Sequence, residues 1–184
     1  KDYGISARLT FSNSLLREEH LSDKKCNELC RLFSAEKSFG TIQNGVIVHS
    51  DLLAGYIREK YPSLYLVSST TKVLTDFDDF VSEVNRPEFL YVVPDFRLNK
   101  KFDRLTVLDQ RQKNKTEFLC NECCNFGCTE RKACYENVSH LNLGEEVPPH
   151  KCRQPGGEGG YKFSLAQKIR ALSALRTFRK LIFP

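Results

Sequence analysis

Methionine is absent from this 184-residue chain, and so is any apolar run near the roughly 18–20 residues that a membrane span requires. Lack of methionine, with an end inside the apolar stretch KLIFP, leads to the expectation of a piece of a longer domain. The N-terminal KDYGISARLTF has no apolar core of the kind a secretory signal carries. No Gly-x-Gly-x-x-Gly follows the first expected strand and there is no P-loop, which withdraws support from the nucleotide-binding α/β folds. Acid is missing from residues 165–184, which hold Lys168, Arg170, Arg176, Arg179 and Lys180. Without those five, the remaining basic residues equal the 23 acidic ones, so the net charge of +5 belongs to one terminal segment. A whole-domain nucleic-acid footprint would be spread more widely.

What is present fits one globular domain with a real core: 40% of residues are hydrophobic and 28% charged. Expected strands alternate with expected helices. RLTFS at Arg8–Ser12, GVIVH at Gly45–His49, LYLV at Leu64–Val67 and FLYVV at Phe89–Val93 read as strands, the last three as nearly continuous apolar runs buried on both faces. Glu117–Cys120 reads as a short fifth strand. Between them, Cys26, Leu29, Cys30 and Phe33 recur at helical spacing, which makes Cys26 and Cys30 small core residues of a helix from Asp23. A second helix covers Asp51–Lys60 and stops before Pro62. A third is capped by Thr75 and carries Phe77, Phe80, Val81 and Val84, and a weaker one spans about Lys101–Leu108. A Gly/Pro loop over 144–160 precedes a last amphipathic helix from about Ser164, with Leu165, Ile169, Leu172, Leu175 and Phe178 along one side.

The order strand–helix–strand implies right-handed parallel crossovers, satisfied by an open doubly wound sheet or by a (β/α) barrel. Five strands are too few for an eight-stranded barrel, so a barrel would be incomplete or would include strands not recognised near the end. The expected organisation is one α/β domain over 1–184: β/α units over 8–120, a cysteine-rich loop over 120–160, and a basic amphipathic helix over 161–184.

Parallel α/β folds place reactive groups at the carboxyl ends of strands. Those ends offer Asn13, then His49 with Ser50, then Ser68, Ser69, Thr70, Thr71 and Lys72, then Asp95, Arg97 and Asn99, and last Asn121 and Glu122. Ser69, Thr70 and Lys72 have the chemistry to cradle a phosphate or carboxylate, or alternatively to cap the next helix. His49 is a candidate general base, or a structural histidine beside a helix start. Asp95 and Arg97 can clamp a substrate or pair with each other.

Six of the eight cysteines fall between Cys120 and Cys152, spaced Cys-x2-Cys-Cys-x3-Cys-x5-Cys-x17-Cys. Four thiolates close a tetrahedral zinc site or hold an iron–sulfur cluster. Only Cys120 and Cys123 form a zinc knuckle, and a radical-SAM loop would need a thiol where Arg131 stands, so neither stock spacing fits. His140 and His150 are further candidate ligands. The even cysteine count, with sequons at Asn114 and Asn137, also admits a secreted disulfide-bonded domain. A core large enough to do without staples favours the reducing cytoplasm.

The stretch NGVIVHSDLLAGYIREKYPSLYLVSST resembles the repeating barrel unit of the U32 peptidase-like (collagenase-like) family: a GVIV-type strand, a helix ending in Tyr-Pro, and an aliphatic strand ending in Ser-Thr. CNECCNFGCTERKACYENVS resembles a segment of some relatives, with Asn121 and Glu122 as its Asn-Glu, Cys124 and Cys128 as its cysteine pair, Arg131 as its arginine, and Cys134 where a His would stand. The resemblance spans about residues 8–165 and implies an incomplete (β/α) barrel of cytoplasmic, bacterial type. Relatives hold a 4Fe-4S cluster on four cysteines and take part in hydroxylation of tRNA or quinone precursors. No Ser-His-Asp or Cys-His arrangement supports a peptidase. On this basis Cys124, Cys128, Cys134 and Cys152 are the expected ligands of a 4Fe-4S cluster or zinc. Glu122, His49, Asp95 and Arg97 are the expected catalytic groups, and Asn13, Ser69, Thr70, Lys72 and Asn121 the expected contacts to an RNA or small-molecule substrate. The alternative is a zinc-stapled module whose basic C-terminal helix contacts a polyanion without catalysis.

Overall fold

The computed structural model describes residues 5–35 and 42–150, apart from Asn121, Cys123, Asn125, Phe126 and Pro149. Cys152 and the helix expected from Ser164 lie outside the described residues. Within them the chain is an α/β fold with strands β1 (Arg8–Phe11), β2 (Gly45–Val48), β3 (Tyr65–Ser68) and β4 (Phe89–Val92). All neighbours pair in parallel and the sheet order is the chain order, β1-β2-β3-β4. Each strand adds beside the last, so right-handed crossovers place the connecting helices on one face. A doubly wound sheet would reverse its strand order at some point, and this one does not.

Register assigns the two faces. Leu9, Val46, Leu66 and Phe89 are lateral neighbours, as are Phe11, Val48, Ser68 and Val92. This face packs against Leu53, Ala54 and Ile57 of α2 (Asp51–Lys60) and Phe77, Phe80 and Val84 of α3 (Phe77–Asn85), and with Cys30 of α1 (Lys24–Ala35) it forms the core. The helices start and stop for local reasons. Ser50 accepts the Leu53 N–H at the start of α2, and Arg58 and Lys60 occupy its last turn, where the helix dipole favours cations. Asp76, not Thr75, caps α3, because its carboxylate reaches both the Asp78 and Asp79 N–H groups.

The opposite face carries Arg8, Tyr65, Val67 and Tyr91. Tyr65 lies where a Cβ on Gly45 would collide with its ring, so Gly45 keeps the centre of this face open. Arg8 crosses that gap. Its guanidinium stacks on Tyr65 and Tyr91, at 5.4 and 4.9 Å, and forms a bidentate pair with Glu117 at 2.6 and 2.7 Å. On a flat sheet β1 and β4 would lie three spacings, about 14 Å, apart, so this pair clasps one outer strand to the chain beyond the other.

Other sequence expectations change as well. The fifth strand expected over Glu117–Cys120 is replaced by a single parallel bridge just before it, between Val92 and Thr116, with the Glu117 N–H donating to the Val92 carbonyl; beyond that the Leu119 carbonyl accepts from the Asn99 side chain in place of a strand partner. The helix expected over 101–108 shortens to α4 (Phe102–Leu105), preceded by a 3-10 turn at Phe96–Lys100 and followed by α5 (Gln110–Lys115), which a reciprocal cap between Asp109 and Gln112 starts. Cys30 is buried but Cys26 is exposed, so the core stripe of α1 is narrower than the spacing suggests.

The largest difference lies in the cysteine region. Residues 131–142 form α6 (Arg131–Asn142), not loop. No helix among the described residues is long and apolar enough to cross a membrane.

Candidate functional site

Helix α6 lies across the carboxyl ends of the strands. Twelve residues give it about 18 Å, enough to cover the roughly 14 Å from β1 to β4. At the end of β1, Asn13 Nδ2 donates to the Ser139 carbonyl at 2.9 Å, and Ser139 Oγ accepts from the Ser14 N–H at 3.0 Å. At the end of β2, His49 feels the charges of Lys132 and Glu136. At the ends of β3 and β4, Arg131 reaches Thr70 Oγ1 at 3.3 Å and Asp95 Oδ2 at 3.4 Å. Arg131, Tyr135 and Ser139 stand four residues apart on one helical face.

The expected strand-end residues therefore converge, but largely on one another and on α6. Asp95 is fully buried between two arginines: Arg97 Nε donates to Oδ1 at 2.6 Å and Nη2 to Oδ2 at 3.1 Å, while Arg131 approaches from the other side. Arg97 also donates through Nη1 to the Cys128 carbonyl at 2.7 Å, tying the cysteine region to β4. Arg131 is 1% exposed, its Nη1 lies 2.5 Å from Glu122 Oε2, and its guanidinium stacks on Phe96 and Tyr135. Burial works against its charge, but Tyr135, Glu122 and Asp95 outweigh that and raise its pKa. Glu122 also accepts the Cys124 N–H at 3.1 Å. Two carboxylates and two guanidiniums thus form one neutral cluster beneath the cysteines.

A second group is a run of side chains with oxygen or ring-nitrogen contacts. His49 Nδ1 lies 3.0 Å from Thr71 Oγ1, which donates to Ser69 Oγ at 2.9 Å, and Ser69 Oγ lies 3.3 Å from Ser12 Oγ. Burial, helped by Lys72 and Lys132, holds His49 below its ordinary pKa, which favours the neutral, proton-accepting form. Val73, next along, adopts φ 54°, a left-handed conformation that costs a β-branched residue strain.

Lys72 is placed elsewhere. Its Nζ lies 2.6 Å from Glu83 Oε1 and 3.3 Å from Asp51, on the helical side of the sheet. Burial tends to raise the Glu83 pKa, but the bonds from Lys72 and Ser68, with the charge of Arg86, carry it below the usual range. Asn121 lies outside the described residues.

No disulfide joins any of the six described cysteines. Burial and the neighbouring Glu122 push the Cys124 thiol up to about 12, and Cys128 is close enough to contribute to that shift. A thiol so raised is no nucleophile at neutral pH. Cys134 sits on α6 one turn from Arg131. Among the described residues, no three His, Cys, Asp or Glu side chains are grouped to hold a metal ion. Cys124, Cys128 and Cys134 thus do not make a complete site by themselves, and Cys123 and Cys152 lie outside the described residues.

Sequence reasoning passed over the roles of Arg8, Glu83, Glu117, Tyr135 and Ser139. For Tyr135 and Ser139 the signal is weak because α6 buries a polar face, which a search for apolar periodicity does not detect, and for Arg8, Glu83 and Glu117 because their partners are distant in sequence. Comparison with protein-family models, with curated proteins and with solved structures gives no match, so the U32-like resemblance rests on the residues that carry it.

Proposed function

We propose that this chain is a U32-like metalloprotein on a partial (β/α) barrel, acting in hydroxylation-type modification of an RNA or a small precursor in the bacterial cytoplasm. Cys124, Cys128, Cys134 and Cys152 would hold a 4Fe-4S cluster or zinc, with His49 and Glu122 as proton-transfer groups. The observation that carries this reading is the Arg131–Asp95–Glu122 cluster, which fixes the cysteine region over the strand ends. Iron, sulfide and zinc should be measured per chain in protein purified without air, together with the visible spectrum. Equal iron and sulfide with a brown colour supports the cluster. Stoichiometric zinc in a colourless protein supports the zinc form, and absence of all three ends the proposal.

The cover that α6 makes over the strand ends favours a second reading, a zinc-stapled module that binds nucleic acid or protein without catalysis. Binding to RNA through the C-terminal helix would weaken steeply with salt and fall on neutralising Arg176, Arg179 and Lys180. Salt-independent binding that survives those changes removes this reading.

A further inference from the structure

A cavity of about 640 Å³ opens beside the carboxyl end of β1, inside the range of about 300–1,000 Å³ typical of small-molecule sites. Its apolar wall includes Phe11, Leu16, Leu21, Leu53 and Ile57, from β1, the turn after it, and α2. None of the described lining residues is lysine or arginine. Most polar side chains on the wall are already engaged. Asp23 accepts the Cys26 N–H, and Glu19 pairs with Arg17. Asn13 holds the Ser139 carbonyl and the Leu15 N–H, while Asn27 donates to the Leu21 carbonyl and accepts the Tyr56 hydroxyl. Both acids are thus committed to neighbours, and the described wall has no cation with which to hold an anion.

Ser12 differs from these. It lines the cavity and also ends the hydroxyl run described above: Thr71 Oγ1 donates to Ser69 Oγ at 2.9 Å, and Ser69 Oγ donates to Ser12 Oγ at 3.3 Å. With the Thr71 hydrogen given to Ser69, His49 Nδ1 heads the run as a donor, at 3.0 Å from Thr71 Oγ1. Each oxygen accepts from the group before it and passes its own hydrogen on, so Ser12 is left with an O–H to donate. Among the described residues no acceptor takes it. An apolar cavity with one hydroxyl donor suits a ligand that is uncharged and carries an oxygen acceptor. We propose that this cavity binds a small, largely apolar carbonyl compound, with Ser12 Oγ donating to the carbonyl oxygen and Ser69 positioning Ser12. The site needs nothing from the cysteines and stands whether or not they hold a metal.

Titrating the full chain with a propionyl-dimethylaminonaphthalene dye, neutral and blue-shifted in emission out of water, tests this directly. Saturable binding of one dye per chain is expected. Acetylnaphthalene should displace the dye about five- to tenfold more tightly than ethylnaphthalene, which lacks the acceptor, and anionic naphthoate should compete least. In Ser12→Ala the advantage of the carbonyl should vanish while ethylnaphthalene binds as before, a result that unfolding would not give. Acetylnaphthalene should also slow alkylation of Cys26, which is exposed and lines the cavity, without slowing that of Cys120, as peptide mass spectrometry would report. Absence of saturable binding, equal affinity for the acetyl and ethyl compounds, or tighter binding of naphthoate would overturn the proposal. A carbonyl preference that survives Ser12→Ala, or a Cys26 left unprotected, would overturn it as well.

Discussion

Arg131 Nε lies 3.4 Å from Asp95 Oδ2 with both side chains shut off from solvent, so a charge pair pins the start of α6 to the end of β4. Removing one partner of such a pair leaves the other charge buried. Arg131→Met should therefore cost about 3–5 kcal/mol, measured by urea unfolding. Arg131→Lys should recover little, since a single ammonium cannot serve Asp95, Glu122 and Thr70 together. A lysine variant of wild-type stability would show that the planar guanidinium is not what holds α6.

His49 sets a pH dependence of known sign. Its folded pKa lies below the ordinary 6.5, so the unfolded chain binds the proton more readily. Its contribution is present above about pH 6.5 and is lost as pH falls toward the depressed value. Glu83, also depressed, adds a loss as pH falls below about 4.5. Unfolding free energies at about pH 7.5 and about pH 5.5 should differ in the wild type and differ less in His49→Gln. An unchanged difference would assign the effect to other groups.

The Arg8–Glu117 clasp is partly exposed, at 27% and 33%, yet it is bidentate and backed by two tyrosine rings. A double-mutant cycle with Arg8→Ala and Glu117→Ala should give a coupling of about 1 kcal/mol, reduced but not abolished by salt. A coupling indistinguishable from zero would mean that the edges of the sheet hold their positions without it.

Gly45→Ala tests the packing of the same face. The new methyl would enter the Tyr65 ring, which is held by Ser6 and Arg8, so a cost of about 1–3 kcal/mol is expected. In a Tyr65→Ala background the cost should largely disappear. If both backgrounds lose the same stability, the effect lies in the strand backbone instead.

Most of the β/α framework was legible because it rests on local patterns. The runs GVIV and FLYV are strands in the structure within one residue of their expected ends, and α2 spans Asp51–Lys60 as its stripe and Pro62 require. Cap identity was less legible, since Thr75 and Asp76 are both good caps and only backbone geometry chooses between them. Of the polar residues expected at the strand ends, Asn13, Ser69, Thr70, Asp95 and Arg97 engage one another or α6 and the cysteine region, whereas Lys72 turns to Glu83, and none of these partners was legible.

By itself the sequence determined an alternating α/β chain with parallel strands, because apolar runs of strand length and helical stripes are properties of neighbouring residues. It also raised the cysteine region as a candidate metal site. Only the tertiary structure decided that Arg131 belongs to a helix, that this helix closes the strand ends, and that Lys72 turns away toward Glu83. Those outcomes depend on ion pairs between residues 11 and 36 positions apart, and burial, which no local pattern reports, is what makes such pairs strong enough to choose.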